Sequence, residues 1–127
     1  MSLARQIART YFEYSNQSDM AQIRALLTNN CTYYSRHLGF FIGQDDVIAM
    51  QTMFHAQYQS LSWEILSLNE IKPNVVEIDF GFEGVMQSGE LQQRQGREHI
   101  LIYDGLIQHI AVGIYGSEND RTTKNIV

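Results

Sequence analysis

Apolar residues along the chain recur first at helical and later at strand spacing. Leu3, Ile7, Tyr11 and Tyr14, with Ala8 and Phe12 beside them, share one stripe of a helix. The turn-prone run Ser15-Asn16-Gln17-Ser18 ends it. Asp19 followed by Gln22 resembles a capping box, in which each side chain satisfies a free amide of the first turn. Met20, Ile23, Leu26 and Leu27 make a second helical stripe, and Asn29-Asn30 suits its left-handed exit. The segment from Cys31 to Leu38 is rich in Thr and Tyr and reads as a strand. Alternation puts Tyr33, Ser35 and His37 on one face of it and Thr32, Tyr34 and Arg36 on the other. Residues 39 to 43 read as a loop with exposed Phe40, Phe41 and Ile42. Asp45 and Asp46 favour a helix start, and Val47, Met50, Phe54 and Tyr58 form the third helical stripe.

From Leu61 the period changes to two. Leu61, Trp63 and Ile65 alternate with polar residues, and so do Val76, Ile78, Phe80 and Phe82 after the turn at Lys72-Pro73-Asn74. The face opposite that second set holds Glu77, Asp79 and Glu83, so the apolar set is the one to bury. Ser88-Gly89 marks a reversal, and Asp104-Gly105 is the strongest short hairpin signal in the chain. The order is three helices, with a short strand between the second and third, then four long strands in a meander. Helices segregated ahead of an antiparallel sheet predict an α+β fold.

If Asp104-Gly105 forms a two-residue loop, Tyr103 pairs with Leu106 and His99 with Ile110. Arg97, His99, Leu101 and Tyr103 then share a face with Leu106, Gln108, Ile110, Val112 and Ile114, which holds His99 in apolar surroundings. The opposite face, with Glu98, Ile100, Ile102, Ile107, His109, Ala111, Gly113 and Tyr115, is also largely apolar. Three helices cover only one face, so the other is expected to meet a second copy of the chain in a homodimer through the outer sheet face.

Composition narrows the classes. The 127 residues suit one domain, residues 1–116, followed by a polar, non-periodic tail, 117–127, expected to be flexible. The net charge of −5 and the lack of a basic run argue against nucleic acid or an anionic membrane as partner. No signal peptide or membrane span is visible, and the single cysteine, Cys31, reads as a small core residue, so a cytoplasmic location is the default. The histidines lack the spacing of a zinc site, and no phosphate loop or nucleophile elbow appears. Neither a metal nor a cofactor is expected.

Several signatures resemble the NTF2-like (SnoaL-like, cystatin-like fold) superfamily. They are Tyr11-Phe12 followed by Asn16-Gln17-Ser18-Asp19, the strand after Asn30, Gly43-Gln44-Asp45-Asp46-Val47 opening the third helix, and Tyr103-Asp104-Gly105-Leu106-Ile107 at the last hairpin. The resemblance implies a cone: three N-terminal helices packed on a curved, mostly antiparallel sheet. It is specific for fold and poor for function, because the superfamily spans isomerases, dehydratases, cyclases and binding domains. In the ketosteroid isomerase type, a helix-1 tyrosine and a protonated aspartic acid hold an enolate oxygen while a second aspartate moves the proton. Laid on this chain, the tyrosine falls at Tyr11, the hydrogen-bonding acid at His99 and the proton-moving aspartate at Ser35. Serine is no base at neutral pH without an activating partner, which counts against that reaction.

These residues can also be read more plainly. Tyr11 can fill core with its hydroxyl in a wet cavity, Ser35 can simply make space, His37 can be solvated at a strand end, and Trp63 can anchor the core. The expectation is a domain that binds a small apolar molecule in an internal pocket. Ser35, Tyr33, Phe54, Tyr58, Trp63, Leu101 and Tyr103 are the candidate ligand contacts. One alternative is an isomerase or dehydratase acting next to a carbonyl, with Tyr11 and His99 polarising the oxygen and His37 or Asp79 handling the proton. A non-catalytic adaptor using Phe40, Phe41 and Ile42 is the other.

Overall fold

The computed structural model describes residues 2–115, with the side chain of Tyr115 left out. The tail 117–127, expected from sequence to be flexible, lies outside the described residues. Three helices, α1 (Leu3–Asn16), α2 (Met20–Leu26) and α3 (Gln44–Ala56), pack on six strands: β1 (Leu27–Ser35), β2 (Gly39–Ile42), β3 (Tyr58–Lys72), β4 (Val75–Met86), β5 (Leu91–Tyr103) and β6 (Leu106–Tyr115). The strands form one curved sheet in the order β2-β1-β6-β5-β4-β3. All neighbours are antiparallel except β1 and β6, which run parallel. The α+β cone is the architecture the sequence implies.

Side chains cap the starts of the first two helices. Ser2 caps α1 by accepting from the Arg5 amide, and Asp19 caps α2 by accepting from Gln22 at 3.1 Å. The inward stripe of α1 is buried at Ile7, Ala8, Tyr11 and Phe12. The stripe Val76, Ile78, Phe80 and Phe82 of β4 is buried too, and burying each such side chain contributes roughly 1.5–3 kcal/mol. At the last hairpin Asp104 and Gly105 both take positive φ, 53° and 78°, as a two-residue turn of this hand requires.

Four local expectations are corrected. Asn29 and Asn30 lie inside β1 and do not end a helix, because α2 stops at Leu26 and Leu27 already begins the strand. Residues 39–42 are a short strand paired antiparallel to β1, with Tyr33 opposite Phe41. Phe40 and Ile42 are exposed as expected, but Phe41 packs on Tyr33 at 6.4 Å. Tyr58 opens β3 and does not extend the helical stripe.

The fourth correction has the widest effect. Tyr103 does pair with Leu106, but the register shifts by one residue before Leu101 meets His109. Gln108 is the extra residue, a β-bulge on β6. It sits beside a second irregularity, where β1 advances from Leu27 to Thr32 while β6 advances only from Ile107 to His109. The Gln108 side chain accepts from Thr28 and donates to Asn30, holding the two irregular stretches together. Beyond the bulge every β6 residue changes face relative to the sequence expectation. His99 pairs with Ala111, and Glu98 with Val112. One face of β5 and β6 therefore collects Glu98, Ile100, Ile102, Ile107, Ile110 and Val112, all buried. The other face, turned away from the helices, is mixed, with Leu101, Tyr103, Leu106 and Ala111 among Arg97, His99 and His109. There Arg97 grips Asp79 through two hydrogen bonds (2.8 and 3.2 Å), and His99 meets Glu77 at 3.0 Å. The two largely apolar faces inferred from sequence are thus one apolar face and one mixed face. No described helix is long and apolar enough to cross a membrane.

Candidate functional site

Between α1, α3 and the concave side of the sheet lies a cavity of about 370 Å³. Of the residues singled out from sequence, Tyr11, Tyr33, Ser35, His37, Phe54, Tyr58 and Trp63 line it. His99, Leu101 and Tyr103 do not: the bulge turns His99 and Leu101 to the outer face, and Tyr103 is 69% exposed beside the hairpin. Asp79 is likewise excluded, since it lies on the outer face in the hold of Arg97 and Ser67. The Arg97 guanidinium keeps its carboxyl below the ordinary range.

One wall is aromatic. Tyr58 and Phe82 stand edge to face at 5.4 Å, Trp63 lies 5.0 Å from Phe82, and Phe54 touches all three. Asn16, in the last turn of α1, fixes the Trp63 backbone. It accepts from the Trp63 amide at 2.6 Å and donates to its carbonyl at 3.0 Å. His55 also lines the cavity and packs on Trp63 at 5.4 Å. Its Nδ1 is bonded to Ser18 Oγ at 2.8 Å, and burial lowers its pKa, which favours the neutral ring.

The buried end is polar. Glu98 stands between Ile78 and Val112, its ladder partners on β4 and β6, in surroundings that push its carboxyl up to about 8 by desolvation. It is therefore mostly protonated at neutral pH. Gln51 of α3 donates to the Tyr11 hydroxyl at 2.8 Å. Burial raises the Tyr11 hydroxyl well above its usual value, the charge of an ionised Glu98 and then Tyr33 add to that, and hydrogen bonds from Gln51 and Ser15 oppose it. Tyr33 is raised as well, by burial first and by Glu98 second. Glu98 Oε2 and Gln51 Oε1 are buried with no hydrogen-bond partner among the described residues. Each such atom costs about 1–3 kcal/mol, so the fold keeps hydrogen-bonding capacity at this end that it does not use internally.

Ser35, where the resemblance would put a base, is committed elsewhere. Its Oγ accepts from the amides of His37 and Leu38, closing the turn between β1 and β2. Among the described residues no cluster of three or more His, Cys, Asp or Glu side chains could hold a metal ion.

Glu98 and Gln51 are the functional candidates that sequence reasoning missed. Both left a signal. Gln51 is four residues after Val47, on the same helical face, and Glu98 is the one carboxylate in an alternating run with Ile100 and Ile102.

No family model matches the chain, and no curated protein does. Solved structures match its fold closely. An NTF2-like protein of unknown function from Burkholderia pseudomallei superposes with a TM-score of 0.82, covering 95% of this chain and 97% of that one at 16% identity. A putative isomerase from Bacillus subtilis gives 0.79, with 89% and 86% covered at 16% identity. A putative SnoaL-like polyketide cyclase from Shewanella putrefaciens gives 0.80, with 99% and 98% covered at 9% identity. The chain has the NTF2-like fold.

Proposed function

We propose that the cavity binds a small, mostly apolar molecule carrying one oxygen at the end that reaches Tyr11 and Glu98. The observation that carries this reading is that a buried carboxyl, Glu98, and a buried hydroxyl, Tyr11, both line an otherwise largely aromatic cavity. Its volume falls in the usual range of small-molecule sites, roughly 300–1,000 Å³. Because Gln51 donates to the Tyr11 oxygen, the Tyr11 proton is left to be given to a ligand. A protonated Glu98 offers a second O–H. Two O–H donors in dry surroundings suit a carbonyl or phenol oxygen.

The same donors favour a second reading, proton transfer next to a carbonyl. They would stabilise negative charge building on the oxygen. His55, kept neutral by burial, would take the proton at Nε2 if Nδ1–H faces Ser18. His37 lines the cavity too and is the alternative base. The adaptor reading has less support, since Phe41 packs on Tyr33 and the cavity is open.

Titration calorimetry with 4-phenylphenol tests the binding reading. Micromolar binding is expected, weakened about tenfold or more in Glu98→Gln and Tyr11→Phe. No heat of binding and no thermal stabilisation at millimolar phenol would remove it.

A further inference from the structure

β5 presents its even-numbered residues to the cavity side, in the order Ile102, Ile100, Glu98, Gly96, Arg94 and Gln92. The first four are buried, and the last two lie toward solvent. Arg94 and Gln92 still line the cavity, and Arg94 stands directly across from the inward Phe82 of β4. It is the one Arg or Lys among the lining residues. Its guanidinium donates to the Gln93 carbonyl (2.9 Å) and to Gln92 Oε1 (3.4 Å), and among the described residues no carboxylate lies within 4.0 Å of it. Gln92 in turn donates to Glu90 at 3.4 Å, so an amide stands between the guanidinium and that carboxylate. Gly96 leaves the space between Glu98 and Arg94 to the ring of Phe80, which a Cβ there would strike at 2.7 Å.

We infer that the site takes an anionic, elongated ligand: an apolar body with an oxygen at the Tyr11 and Glu98 end and a carboxylate, sulfate or phosphate at Arg94. The inference rests on the binding reading of the same cavity and adds the charge and length of the occupant. Glu98 and Arg94 are four residues apart on one strand face, about 13 Å along the strand. That distance spans two aromatic rings with a polar group at each end. The aromatic wall of Phe54, Tyr58, Trp63 and Phe82 lies beside that path. A guanidinium matches the planar oxygens of a carboxylate with two parallel hydrogen bonds. It also gives an otherwise acidic protein a local site for an anion.

The test compares two probes of one shape, 4′-hydroxybiphenyl-4-carboxylate and its neutral carboxamide, by titration calorimetry at low salt. Wild type is expected to bind the carboxylate about tenfold or more tightly than the carboxamide. Arg94→Met keeps the apolar stem over the aromatic wall and removes the charge; it should bring the two affinities together while leaving the carboxamide affinity within about twofold of wild type. Arg94→Lys should retain part of the preference and be more salt-sensitive. Equal affinities in wild type, or a carboxylate preference that survives in Arg94→Met, would overturn the assignment of Arg94 and leave the cavity reading intact. Binding of neither probe to wild type would overturn both.

Discussion

Gln51 donates its side-chain amide to the Tyr11 hydroxyl across 2.8 Å, tying α3 to α1 at the buried end of the cavity. Both residues are buried, so breaking one side of the pair leaves an amide without its acceptor. Tyr11→Phe should therefore cost about 1–3 kcal/mol, read as a lower urea midpoint at unchanged slope. Gln51→Leu alone should also destabilise. The double variant should be more stable than the sum of the singles predicts, because it removes both polar partners together. Strict additivity would show that the bond contributes nothing to the fold.

Glu98 makes stability depend on pH. Its carboxyl is raised by burial to about 8 in the fold, against an ordinary value of 4.5. Below about 4.5 both folded and unfolded chains hold the proton. Between about 4.5 and 8 the unfolded chain releases it and the folded chain does not. The unfolded state then binds fewer protons, and stability falls as pH rises, levelling off above about 8. The total is on the order of a few kcal/mol. Glu98→Gln has no proton to release, so its stability relative to wild type should climb across that window. Urea unfolding from pH 5 to 9 measures this, and parallel curves for the two proteins would mean that the carboxyl titrates normally.

These two residues show where the sequence was legible and where it was not. Patterns carried by residues near each other in the chain were read well. Asp19 capping α2, the Asp104-Gly105 turn and the buried stripe from Val76 to Phe82 all depend on local geometry. Tyr11, Tyr33 and Ser35 followed from the same alternation and helical spacing. The error entered at Gln108. A β-bulge leaves no local sign in a run such as Leu106 to Tyr115, because its cause is the irregular β1 strand far away in sequence, which Gln108 reaches through Thr28 and Asn30. A one-residue change of register exchanges the two faces of a strand. The acid expected at His99 is therefore found one position earlier, at Glu98, and a histidine thought to be buried lies on the outer face against Glu77.

Gly96 and Gly81 differ in what a methyl group would meet. At Gly96 a Cβ would overlap the Gly113 carbonyl oxygen and come within 2.7 Å of Phe80 Cζ. At Gly81, on the outer face of the neighbouring strand, nothing lies within 4 Å. Gly96→Ala should cost about 1–3 kcal/mol, since the carbonyl belongs to the paired strand and Phe80 is fully packed. Gly81→Ala should be neutral or stabilise by up to about 1 kcal/mol, because alanine restricts the unfolded chain. Thermal unfolding of both variants checks the contrast. Equal melting temperatures would show that the sheet can separate β5 from β6 at Gly96 without penalty.

Removal of Gln108 tests the bulge directly. With Gln108 deleted and Tyr103 still opposite Leu106, a regular ladder runs from Ile107 straight to His109 and keeps the pairs His109–Leu101, Ala111–His99 and Val112–Glu98. Ile110 and Val112 then stay in the core. The deletion loses the Gln108 bonds to Thr28 and Asn30 and sets a regular β6 against an irregular β1, which should cost about 1–3 kcal/mol. Gln108→Ala should keep the register and lose only its side-chain bonds to Thr28 and Asn30, about 1 kcal/mol. Near-ultraviolet circular dichroism reports the aromatic wall in both variants. A wild-type spectrum with a modestly lower melting temperature is expected for the deletion, and a lost aromatic spectrum would show that Gln108 is not the extra residue of the ladder.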